Sequence, residues 1–216
     1  MLGLKTAEFM FLLGGLKWTL LLSLVGLGLG AVAGLLIALA RSGATVWLRR
    51  LTAAYIGVFQ GTPLLMQLFV TYYGLALFGF HLEAWESVAV GFTLNASAFL
   101  GEIWRGAIQA VPRGQTEAAQ ALGVGYIDRM RFIVLPQALK ISLPATIGYL
   151  VQLIKGTSLA AIVGFTELSR AGNIVSNQTF KPLLVYGIVG ALYFALCWPL
   201  SLWGSRLERR LATAAR

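Results

Sequence analysis

Histidine and cysteine are almost missing from this chain, which holds one of each, His81 and Cys197. A single thiol excludes an intrachain disulfide, and its apolar surroundings point to a packed side chain. One His and one Cys cannot form a cluster at metal-ligand spacing, so neither a metal site nor a cofactor is expected. A Ser-His-Asp triad would have to use His81, which falls in a short loop between apolar runs. Nor is there a GxxxxGK[ST] phosphate loop. Lys155-Gly156-Thr157-Ser158 resembles its end but lacks the upstream glycine. No catalytic residue can be named, and the chain reads as a non-enzyme.

Charge is scarce too. Only 12% of the 216 residues are charged, against about 25% in soluble domains. Hydrophobic residues make up 58% and the mean hydropathy is +0.78. That balance describes an all-α protein that crosses a lipid bilayer several times. The net charge of +9 could suggest nucleic acid, but the Lys and Arg residues form short clusters between apolar runs rather than one basic face. Clusters of that kind set membrane orientation, and no nucleic-acid partner is expected.

The apolar runs predict five membrane helices, at approximately 18–40, 53–80, 85–108, 141–165 and 183–205, in a single domain covering 1–216. Ala38-Leu39-Ala40 looks like a signal-peptide cleavage site. The first run is too long for such a peptide, however, and Glu8 follows Lys5 where a basic region belongs, so a retained helix is favoured. Five crossings put the termini on opposite sides. With the C-terminus inside, eleven cations face the cytoplasm: Arg41, Arg49, Arg50, Arg113, Arg129, Arg131, Lys140, Arg206, Arg209, Arg210 and Arg216. Four face outward: Lys5, Lys17, Arg170 and Lys181. The excess has the sign the positive-inside rule requires, with the N-terminus outside.

Gly26, Gly30 and Gly34 recur at four-residue spacing, as do Gly57 and Gly61. Small residues so placed let helix backbones approach closely, and packing within the bundle is favoured over a dimer seam. The second run is interrupted at Gly61-Thr62-Pro63. Flanked by Gln60 and Thr62, this break is either a pathway element or a plain kink. Lys155, halfway along the fourth run, should avoid lipid. It either draws a substrate carboxylate or pairs with Glu102, the second reading being favoured. Glu102 is more readily a structural partner of Arg105 than a substrate ligand. Thr157 and Ser158 either line the pathway or, more commonly for such hydroxyls, bond back to helix carbonyls.

One polar stretch divides the apolar runs: EAAQALGVGYIDRMRFIVLP, residues 117–136, within a connection of about 111–140. Thr116 is placed to cap a short helix, with Glu117 in its first turn and Gly123 and Gly125 ending it. A second helix, about 126–134, is amphipathic and should stop at Pro136. Physical reasoning alone leaves such a pair free to lie on the membrane surface.

The stretch also resembles the EAA loop of bacterial ABC importer permeases, whose pattern is EAA, three residues, Gly, nine residues, Ile, any residue, Leu-Pro. Glu117, Ala118, Ala119, Gly123, Ile133, Leu135 and Pro136 match at every fixed position. GTPLLMQLF (61–69), LPQA (135–138) and KGTSLAAIVGFTEL (155–168) are similar to the polar amino-acid uptake branch, so the likeness covers nearly the whole chain. The resemblance implies a type I ABC importer transmembrane domain in a bacterial plasma membrane, carrying a polar amino acid. It implies a cytoplasmic ATPase dimer, a second permease copy or sister permease, and an extracytoplasmic substrate-binding protein as partners. Glu117, Ala118, Ala119 and Gly123 would contact the ATPase, while Ile133, Leu135 and Pro136 would brace the loop. Gln60, Thr62, Glu102, Lys155, Thr157 and Ser158 remain the pathway candidates. The likeness departs at Gln60, where relatives often carry Arg, and at Gly156, where they carry an acid. The alternative reading is an ion-coupled secondary transporter or channel that works without an ATPase.

Overall fold

The computed structural model describes residues 3–43 and 45–214, with side chains described as far as residue 211. Every regular element among them is helical. The order is α1 (Thr6–Ser42), α2 (Val46–Gly61), α3 (Leu64–Leu77), α4 (Ala84–Ala110), α5 (Arg113–Ala121), α6 (Tyr126–Ala161), α7 (Leu168–Thr179) and α8 (Pro182–Ala214). A π-helical turn interrupts α3 at Val70–Gly74 and α6 at Met130–Val134, and α6 closes in the 3-10 turn Thr157–Ala161.

The glycine stripe of α1 explains the longest seam. Each glycine faces α4, and a Cβ added at Gly26 would lie 2.8 Å from Cβ of Phe92. At Gly30 it would meet Cβ of Ala96, and at Gly34 it would sit 3.1 Å from the backbone nitrogen of Gly101. Backbone-to-backbone approach of this kind is what drives helix association where the surroundings are already apolar. The stripe is thus an internal seam. Gly57 and Gly61 behave differently. Nothing lies within 4 Å of a Cβ at either, so that pair serves no seam inside this chain.

α4 is the hub. It packs along α1 and also against α2, α3 and α6. Phe92, Val88, Leu100 and Ala96 of α4 are fully buried with Leu68 of α3 and Leu153 of α6. By length and composition α1, α6 and α8 suffice to cross a membrane, and α2 with α3 would make a fourth span if taken together across their 105° bend. The 27 residues of α4 reach about 40 Å at 1.5 Å per residue. Its polar residues, among them Asn95, Ser97, Glu102 and Arg105, reduce its hydropathy, and its neighbours shield them.

Two local expectations need correction. Thr116 does not cap α5, because the helix already begins at Arg113, directly after Pro112. Proline suits that position, since the N–H it lacks would go unsatisfied at a helix start. Nor does Pro136 stop the second helix, which continues through it to Ala161. The π turn just before it widens the backbone, so that the N–H of Leu135 bonds back to Met130 and the proline ring enters as if at the start of a new α-helix. Gly123, by contrast, ends α5 as expected, with φ of +73°. The N–H of Val124 reaches the carbonyl of Ala119 at 3.0 Å, closing the helix in the left-handed manner glycine permits.

Glu167 ties down the far end of the bundle. It is fully buried and caps α7, accepting from the backbone N–H groups of Ser169 and Arg170, each at 2.9 Å. The hydroxyl of Tyr193 on α8 donates to it at 2.8 Å, and Thr19 on α1 accepts from the N–H of Leu168 at 3.2 Å. One carboxylate therefore organises three helices, with donors placed to repay its desolvation.

Candidate functional site

The break between α2 and α3 is built by proline chemistry. Pro63 fixes its own φ and pushes Thr62 into the extended region, where φ is −113° and ψ 142°. The carbonyls at the end of α2 thereby lose their helical donors. Side chains replace those donors: Thr62 Oγ1 donates to the Val58 carbonyl at 2.7 Å, and Gln67 Nε2 donates to the carbonyls of Phe59 and Thr62 at 2.7 and 3.0 Å. Irregular backbone at membrane depth persists only where such partners or a watered cavity satisfy it.

Gln67 is itself held in place. Asn95 Nδ2 on α4 donates to Gln67 Oε1 at 2.9 Å, and the Tyr149 hydroxyl on α6 donates to Asn95 Oδ1 at 2.9 Å. A chain of neutral hydrogen bonds thus links α6, α4 and α3 to the break. Tyr149 also stacks on Phe99, with ring centroids 5.3 Å apart. Beside this network lies a cavity of about 250 Å³ lined by Gln60, Thr62, Asn95, Phe99, Tyr149 and Gln152, with Pro63, Leu64 and Leu153. None of these side chains is ionisable as a carboxylate or an amine.

A second cavity of about 400 Å³ shares Gln60 and Phe99 with the first and adds Glu102, Ile103 and Arg105. Here the cations of Glu102 are Arg105, whose Nε donates at 2.9 Å, and Arg41 of α1 at 3.0 Å. Lys155 is not among them. It lies instead six residues before the end of α6, exposed, one turn beyond Gln152. The hydroxyls of Thr157 and Ser158 bond back to the carbonyls of Ile154 and Lys155 at 2.7 and 2.8 Å, and Thr157 is fully buried. A Cβ at Gly156 would lie 3.0 Å from Leu64 Cδ2, at the first residue after the break. Gln60 and Gly156, the two departures from the resembling family, therefore border the same break.

Sequence reading placed Gln60 and Thr62 beside the break but missed Gln67, Asn95 and Tyr149. The polar Gln67 and Asn95 inside apolar runs were the available signal; their pairing is tertiary.

The polar stretch forms a second candidate region. Glu117, Ala118 and Gly123 are exposed, whereas Ala119 is 3% exposed and faces inward. Ala107 of α4 and Val111 just beyond its end pack against Val134 and Ala138 of α6, fixing the stretch to the bundle. Ile133 and Leu135 are half-buried, and Pro136 is exposed. At the tip, Leu122, Ile127 and Tyr126 expose 83%, 76% and 54% of their surface, an apolar knob between charged residues.

The family described as binding-protein-dependent transport system inner membrane component matches residues 26–213. A probable amino-acid ABC transporter permease protein of Bacillus subtilis (strain 168), YckA, is 36% identical over 209 residues, covering 97% of this chain and 92% of the relative. The L-cystine transport system permease protein TcyB of the same organism is 35% identical over 199 residues, 92% of this chain and 85% of its own. Among solved structures, the crystal structure of an amino acid ABC transporter with histidines superposes with a TM-score of 0.86 at 33% identity, covering 97% of this chain and 100% of that one.

Proposed function

We propose, from the premise that this chain belongs to the family of binding-protein-dependent transport system inner membrane components, that it is the permease subunit of an ABC importer for a polar amino acid. It is a multi-pass protein of the bacterial inner membrane with an all-helical fold of the type I importer class. The observation that carries the reading is the EAA pattern, complete in spacing and standing on an exposed loop with an apolar tip. Permeases of this family are not themselves enzymes, so ATP would be hydrolysed by a partner.

In the finer reading, the chain crosses the bilayer five times with its N-terminus outside. α1, α2 with α3, α4, α6 and α8 supply the crossings, and α4 takes part despite its polarity because its neighbours enclose it. The exposed Glu117, Ala118, Gly123 and Leu122 would meet a cytoplasmic ATPase dimer. Ala119, Ile133, Leu135 and Pro136 would hold the loop in shape. A second permease copy or sister permease would complete the pathway, and Gly57 and Gly61, open within this chain, support a face left for it. A binding protein would deliver cargo from outside.

The substrate would pass beside the break, between Gln60, Thr62, Asn95, Tyr149 and Gln152. Lys155, exposed one turn beyond Gln152, would steer a carboxylate, and Glu102, held by two arginines, would order the exit. Thr157 and Ser158 would shape the end of α6 from behind. A cavity without fixed charge favours a net-neutral zwitterion, because an ionised side chain entering it loses hydration without gaining a counter-charge. Proteoliposomes holding the permease with its co-purifying ATPase and binding protein should take up radiolabelled glutamine, with asparagine and serine competing at least tenfold better than arginine or glutamate. Stronger competition by arginine would overturn the charge argument and leave the importer assignment standing.

A further inference from the structure

Four arginines from three helices converge at one end of the bundle. Arg41 of α1, Arg49 and Arg50 of α2 and Arg105 of α4 line a pocket of about 390 Å³, together with Val46, Ala53 and Gln109. The carboxylate of Glu102 engages Arg41 and Arg105. Four cations and one anion leave three positive charges uncompensated. Arg49 and Arg50 are exposed and, among the described residues, take part in no ion pair. Like charges gathered this closely repel, and an anion between them removes the penalty.

The surroundings say which kind of anion fits. The pocket lies where α1 ends at Ser42 and α2 begins at Val46; α1 is long and apolar enough to cross a membrane, as α2 is together with α3, so a junction between them belongs near the edge of the hydrocarbon. On the first turns of α2, Val46, Trp47, Leu48 and Leu51 expose 51%, 69%, 40% and 52% of their surface. A tryptophan in such company is the usual marker of the headgroup level. A soluble anion has no use for this apolar collar, whereas a lipid carries its charge and its chains together. The loop tip at Leu122 and Ile127 belongs to a different segment, so an ATPase docked there would leave this pocket free.

We propose that this pocket binds the headgroup of an anionic phospholipid such as phosphatidylglycerol. Arg49 and Arg50 hold the phosphodiester, since guanidinium groups match phosphate oxygens in pairs. Arg41 and Arg105 supply the positive floor, and the acyl chains lie along Trp47, Leu48 and Leu51. Basic pockets between membrane helices on the cytoplasmic side hold anionic headgroups in this way. The proposal rests on the membrane location of the chain, and its test variants leave Arg41, Arg105 and their hold on Glu102 in place.

The permease, purified with its co-purifying subunits, is offered equimolar phosphatidylglycerol and phosphatidylcholine, and retained lipid is counted by native mass spectrometry. Wild type should retain phosphatidylglycerol at least tenfold over phosphatidylcholine. Arg49→Gln with Arg50→Gln should bring the ratio near parity, each lost charge weakening the headgroup about fivefold. Arg49→Lys with Arg50→Lys should keep most of the preference, which separates lost charge from lost fold. Thermal stabilisation should follow added phosphatidylglycerol and not inorganic phosphate. Equal retention of the two lipids by wild type would overturn the assignment, as would unchanged preference in the glutamine pair. Stabilisation by phosphate alone would reassign the pocket to a soluble anion. Loss of the ATPase from the glutamine pair with lipid preference intact would reassign it to a protein contact.

Discussion

Leu122→Asp is expected to reduce ATP-driven uptake about thirtyfold or more while leaving the amount of protein in the membrane unchanged. Leu122 is 83% exposed at the tip of the polar loop and adds nothing to the packing of this chain. A carboxylate there therefore costs the fold little. In a docked complex the same side chain would be buried, and a central apolar anchor is worth roughly 2 kcal/mol or more, equivalent to about thirtyfold. Leu122→Met should keep most activity. Co-purification of the ATPase should fall in parallel with uptake. If Leu122→Asp carries amino acids normally with ATP, the loop does not couple the chain to a motor and lies on the membrane surface instead. Ala119 is the wrong place for this test. At 3% exposure it faces the loop interior, and a charge there would injure the loop before any partner arrived.

Gly30→Leu should cost on the order of 3 kcal/mol of bundle stability. The first atom of the new side chain would already collide with Cβ of Ala96, and Ala96 is fully buried on α4. Neither helix can yield without opening the seam that Gly26 and Gly34 close on either side. Gly28→Leu is the matched control. Gly28 lies on the same helix with nothing within 4 Å of its Cβ position, so the substitution should be nearly neutral. Unfolding of the two variants in detergent mixtures compares them directly. Equal stability would mean that the seam is looser than its geometry.

How far the sequence disclosed these features depended on how local each one was. The stripe Gly26, Gly30, Gly34 is periodic within one helix, and its role was legible before any partner helix was known. Gly57 and Gly61 carry the same spacing yet face no neighbour in the chain, because spacing cannot say whether a second helix is present. Gly123 ended its helix as expected, since a positive φ is a local demand. Pro136 misled because the π turn that admits it arises from the way Met130–Val134 winds, which no residue in the stretch announces. The favoured pairing of Lys155 with Glu102 failed because Arg41, distant in sequence, reaches Glu102 first. The hydrogen-bond chain from Tyr149 through Asn95 to Gln67 joins three helices, and no periodicity in one helix can reveal it. The family and its helical class were therefore readable from the chain, while the interior of the break had to await the fold.

Transport of an amino acid by this chain should occur only when a separate ATPase drives it. Reconstitution tests it most directly. Proteoliposomes would carry the permease with its co-purifying ATPase, and radiolabelled glutamine with the matching binding protein would be offered from the face opposite the ATPase. Uptake should need ATP on the ATPase side and disappear when the ATPase is omitted. Uptake by the permease alone, driven by a proton or sodium gradient and indifferent to ATP, would contradict it.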